Sequence, residues 1–172
     1  MQSQTHEGLE QLKKLFDNLE YGADEAVGLL LTTDRYQSPY EVTPAGVLVF
    51  ASTGGDGVHF SFLLDETAEP EDWPVVMTVP MQFDRPNLVL GANLREFLAL
   101  GLRVGYFVLE QLAYDLDEMI GVLDRPQIAN ERPELMASTL DAIATAYSIA
   151  PWEDHRRRLD WLQRAFPQPV EN

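Results

Sequence analysis

A chain of 172 residues without a cysteine excludes disulfides, thiolate zinc sites, iron–sulfur clusters and cysteine nucleophiles, and its length fits one domain or one domain with an appendage. Its net charge of −16, from 28 acids against 12 bases, repels phosphate backbones, so nucleic acid is not expected as a partner and a basic protein is favoured. Hydrophobic residues at 45% are close to the globular norm and exclude wholesale disorder.

Residues 6–20 place Leu9, Leu12, Phe16 and Leu19 at helical spacing, an amphipathic helix. Asp24 to Leu31 suits a second short helix with acids in its first turn. Residues 32–44, with Pro39 and Pro44, read as a loop. Two runs rich in β-branched and aromatic residues, near 47–52 and 58–64, flank Gly54-Gly55-Asp56-Gly57, which supplies positive-φ turn positions: a β-hairpin. Five carboxylates then crowd into Asp65–Asp72, and Trp73–Val79 reads as a third strand with Pro74 near its start. Leu88–Leu90 suits a further short strand. Asn93, followed three places later by Glu96, gives a capping-box start to a helix over Leu94–Leu100. A helix is expected from about Val104 to Asp115, continued by Asp117–Leu123. A break near 124–133, bracketed by Pro126 and Pro133, is followed by a helix over Glu134–Tyr147. A last helix opens around Ser148–Asp154, buries Trp152, Leu159, Leu162 and Phe166, and ends at Pro167 and Pro169.

Chemistry is sparse in this pattern. The glycine-rich turn leads into a strand and carries no Gly-Lys-Ser/Thr, which makes it a structural turn and not a phosphate cradle. His6, His59 and His155 form no short-spaced pair, and no metal site or cofactor is assigned. His6 falls near a frayed start. His59 shares a strand face with Ser61 by parity, but no local acid or oxyanion hole completes a triad, so a polar, solvent-side position is expected. The acid-rich stretch 65–72 lacks the spacing and central glycine of a calcium loop. Asp115, Asp117 and Glu118 read as a hydrated helix end, and Arg156-Arg157-Arg158 as a source of intrahelical pairs with neighbouring acids. Trp73, Trp152 and Trp161 read as core or interface anchors. The opening residues show no secretory pattern and no apolar run suits a membrane span, so a cytoplasmic protein without a membrane partner is expected.

The run Pro44-Ala-Gly-Val-Leu-Val-Phe-Ala-Ser-Thr-Gly-Gly-Asp-Gly-Val-His-Phe60, then Pro74-Val-Val-Met77, then Asn93-Leu-Arg-Glu-Phe-Leu98, resembles the SUKH superfamily. The resemblance implies an α+β fold, in which a small antiparallel sheet (hairpin about 47–64 plus a strand about 73–79) is flanked by helices. Residues 1–125 would form that domain, and 126–172 a helical extension packed on it. It also implies an immunity role, because many bacterial members look like proteins that bind and neutralise a toxin. The expected function is therefore a non-enzymatic protein-binding module that occludes a basic toxin, with no catalytic residue. Its expected contact is Asp65, Glu66, Glu69, Glu71 and Asp72. A small enzyme or ligand-binding protein with a pocket around His59, and a self-associating structural protein pairing through 134–166, stay open beside it. Monomer and homodimer are both compatible with the sequence.

Overall fold

The computed structural model describes residues 6–32, 40–125 and 130–166. The features expected at Pro39, Pro126, Pro167 and Pro169 lie outside the described residues. The architecture is α+β: a five-stranded antiparallel meander, β1 (Leu30–Leu31), β2 (Val47–Ser52), β3 (His59–Leu63), β4 (Val75–Thr78) and β5 (Asn87–Gly91), in sequential order. β5 matches the further strand expected at Leu88–Leu90, whereas β1 at Leu30–Leu31 lies in the stretch whose pattern predicts a helix.

The hairpin forms as the turn chemistry predicts. Gly54, Asp56 and Gly57 all take positive φ, and the Val58 amide donates to Gly55 O at 3.0 Å. A bulge in β2 lies between Val49 and Ala51. It lets Phe50 join the core face, where its ring stacks on Phe62 at 4.3 Å and meets Phe97 edge-on at 6.0 Å. Phe60 and Tyr106 complete the group around Phe97.

Helices α1 (Glu7–Asp17), α2 (Ala23–Val27), α3 (Leu94–Gly101), α4 (Gln111–Tyr114), α5 (Leu116–Asp124), α6 (Pro133–Tyr147) and α7 (His155–Ala165) surround this sheet. The N-terminal pattern is interrupted where glycine adopts a left-handed backbone. Helix α2 stops at Gly28, φ +69°, instead of running to Leu31. A side chain there would also meet the Phe107 amide nitrogen at 2.6 Å. The single helix expected over 104–115 is likewise broken. Gly105 has φ +75°, a short 3₁₀ turn spans Phe107–Glu110, and Asp115 restarts the chain as the cap of α5.

The start of α3 is capped in a variant of the capping box: Glu96 N donates to Asn93 Oδ1, while Glu96 Oε2 reaches one residue past the cap to accept from Ala92 N at 2.6 Å. Helix α7 starts at His155 with Asp154 as its cap, later than expected, so Pro151 and Trp152 precede it. One apolar cluster joins all these elements. Leu140, Ile143 and Tyr147 of α6, Trp152, and Leu159 and Leu162 of α7 are buried in the same core as Phe60 and Phe97. No helix among the described residues is long and apolar enough to cross a membrane.

Candidate functional site

The five acids expected to meet a partner are all exposed and sit together on the connection from β3 to β4. That connection is tied down. Asp65 accepts from both the amide and the hydroxyl of Thr67, at 2.8 and 2.6 Å, which holds its carboxyl below the usual range. The Trp73 indole donates to Asp65 O at 3.0 Å, and a short 3₁₀ turn over Pro70–Asp72 packs Pro70 inward. Glu71 is already engaged: its Oε1 accepts from Gly8 N at 3.2 Å at the start of α1, and lies 3.3 Å from His6 Nδ1. Glu66, Glu69 and Asp72 are left facing solvent along this edge, with Asp65 beside them.

His6 is not at a frayed start. It is the buried N-cap of α1, with Leu9 N donating to its Nδ1 at 3.2 Å and its ring stacked 4.3 Å from Phe62. Burial lowers its pKa, against the opposing pull of Glu71. Accepting from Leu9 requires Nδ1 to be unprotonated, and burial favours the same neutral ring, while the Glu71 carboxylate 3.3 Å from Nδ1 favours the cation.

The solvent-side position expected for His59 is also overturned. His59 is only 3% exposed and Ser61 is fully buried. Parity does place them on one face, opposite Ser52 and Val49 respectively, but that face is covered too. Residues 40–43 cross it: Val42 O accepts from Asn87 Nδ2 at 2.8 Å, and Tyr40 stacks against the His59 ring. A carbonyl can only accept, so His59 Nδ1–H donates to Gly57 O at 2.7 Å and Nε2 accepts from the Thr43 hydroxyl at 3.1 Å. Burial lowers the His59 pKa, partly opposed by the Gly57 bond. The imidazole therefore locks the hairpin tip to the crossing segment, and neither nitrogen is aimed at Ser61.

The arginine run is corrected in the same way. Arg156 pairs with Asp117 of α5, and Arg158 with Glu96 of α3, so these pairs join helices and do not lie within one. Arg158 also sits over the Trp161 ring at 4.1 Å. Glu96, Arg158 and Trp161, with Trp152, Glu153 and Arg157, line an open depression of about 560 Å³. His155 Nδ1 lies 2.7 Å from Asp124 Oδ1, linking α7 to the end of α5. Among the described residues, no group of three or more histidines and acids is arranged to hold a metal ion. Asp115 caps α5 by accepting from Glu118 N, so it is a structural cap with its neighbours exposed.

Sequence reasoning missed a second surface. Met81, Phe83, Phe107 and Tyr114 are large, apolar and exposed. Nothing in their local pattern separates them from core residues, because exposure is set by which elements meet and not by residue type. Comparison with protein-family models, with curated proteins and with solved structures finds no match for this chain.

Proposed function

We propose that this chain is a non-enzymatic protein-binding module of the immunity type, which neutralises a basic toxin by covering its substrate site. The observation that carries the reading is the exposed acidic edge between β3 and β4, held in shape by the Asp65–Thr67, Trp73–Asp65 and Glu71–Gly8 bonds. A fixed edge loses little entropy on docking, and in a chain of charge −16 it draws a basic partner by long-range attraction. The resemblance of the hairpin and of Leu94–Leu98 to SUKH proteins supports the same class. Both ring nitrogens of His59 are engaged in holding the fold, which favours binding over a pocket built around that residue.

The test is protection. Where a toxin gene lies beside the gene for this chain, co-expression should restore growth. Binding in vitro should weaken as salt rises, and replacing Asp65, Glu66, Glu69 and Asp72 by lysine should abolish protection in a folded protein. A purely metabolic gene neighbourhood, or salt-independent binding untouched by those substitutions, would sink the reading.

A further inference from the structure

The register places the two turns of the meander at one end of the sheet. His59 is opposite Thr78 in β4, and Thr78 is opposite Asn87 in β5, so the hairpin tip 53–58 and the turn 79–86 emerge side by side. Residues 105–114 close over the same end. Tyr106 N donates to Val27 O at 2.7 Å, Phe107 lies against Gly28 and Gly55, and Gln82 Nε2 donates to Ala113 O at 2.9 Å. Four large apolar side chains are left facing out here: Phe83 at 82% exposure, Met81 at 59%, and Phe107 and Tyr114 each at 50%. Solvent-facing aromatic and methionine side chains gathered on rigid turns are the usual anchors of a protein interface.

The charge around these anchors selects the occupant. Asp56 of the hairpin tip, Asp84 beside Phe83, Glu110 one helical turn before Tyr114, and Asp115 after it form an acidic surround. Burial first, and the nearby Asp56 carboxylate second, push the Glu110 carboxyl up. Arg85 is the cation of the same turn, and it lines the groove toward α7 with Leu112, Leu116 and Asp160. A second copy of the chain would bring a like-charged surround against this one, which disfavours self-association through it. The acidic segment 65–72 joins β3 to β4 at the opposite end of the sheet, so the two surfaces are separate.

From this arrangement we infer that the end of the sheet bearing Met81, Phe83, Phe107 and Tyr114 is the anchoring surface for a basic protein segment with its own apolar side chains. The inference rests on the binding reading above and adds to it a second contact, separate from the 65–72 edge, that a short peptide can occupy alone. The probe is a random peptide library displayed on phage, selected on the full chain, with the enriched peptides then synthesised for titration. Enriched peptides should pair lysine or arginine with aromatic or aliphatic residues. Phe83→Ser with Tyr114→Ser should weaken them about tenfold or more, with an unchanged melting curve, while lysine at 65, 66, 69 and 72 should leave them bound. Hydrogen exchange on the unaltered chain should show peptide-dependent protection at 79–84 and 107–114.

Basic peptides that survive the double serine change but are lost on charge reversal at 65–72 would overturn this surface and leave the binding reading standing. Enrichment of peptides without basic residues would overturn both. A chain that is dimeric, and becomes monomeric on the double change, would overturn the choice of occupant.

Discussion

Each of the three histidines is placed where an imidazole nitrogen joins two parts of the chain. His6 caps α1, His59 ties the hairpin tip to Thr43, and His155 meets Asp124. For His6 and His59 burial lowers the pKa in the folded state from an ordinary 6.5. The sign follows from linkage: the unfolded chain takes up protons first, so the contribution of these residues is complete above pH 6.5 and is lost as pH falls through their lowered folded values. Thermal melts from about pH 7.5 to about pH 5 should show the melting temperature declining in that window. His6→Asn with His59→Gln, which keeps a capping oxygen and a hydrogen-bonding amide, should flatten the decline.

At the scale of elements, the edge of the sheet is closed by a side chain. Gln163 of α7 accepts from Val89 N at 2.9 Å and donates to Val89 O at 2.7 Å, supplying to Val89 the two bonds that a sixth strand would give that residue. Edge strands invite pairing with other chains, and an amide placed this way blunts one without adding a strand. Gln163→Ala should cost about 1–3 kcal/mol by leaving backbone groups unpaired. In a denaturant titration it should lower the midpoint, and Val89 amide exchange should quicken. Unaltered exchange at Val89 would show that α7 does not protect the edge.

Over the whole molecule, α6 and α7 are not an ornament. Their apolar stripes, with Trp152, enter the common core. The Trp152 indole donates to Glu96 O at 3.0 Å, and the Tyr147 hydroxyl donates to Gly8 O at 2.6 Å. Those stripes are packed within the chain, so any pairing of 134–166 with another copy would use the outer faces of α6 and α7. Ending the protein after residue 125 should therefore expose a large apolar face. We expect loss of cooperative unfolding and binding of a hydrophobic dye, against a sharp transition for the full chain. A truncated protein that melts cooperatively would make 1–125 an independent unit.

Sequence alone determined what depends on neighbours along the chain. The positive-φ turn at 54–57 fixed the hairpin, the Asn93–Glu96 spacing fixed the start of α3, and alternation put Phe60 and Phe62 together on a core face, because turns, caps and strand parity are local geometry. It also determined the acidity of the chain. Tertiary structure decided what depends on distant segments. It covered the second face of the sheet with residues 40–43 and so buried His59. It turned Arg156 and Arg158 to acids on other helices, and it broke the 104–115 helix where Gly105 lets the chain close onto Val27 at the end of α2. It alone gathered Met81, Phe83, Phe107 and Tyr114 at one end of the sheet, because the exposure of a side chain is fixed by what the fold leaves beside it and not by its own identity.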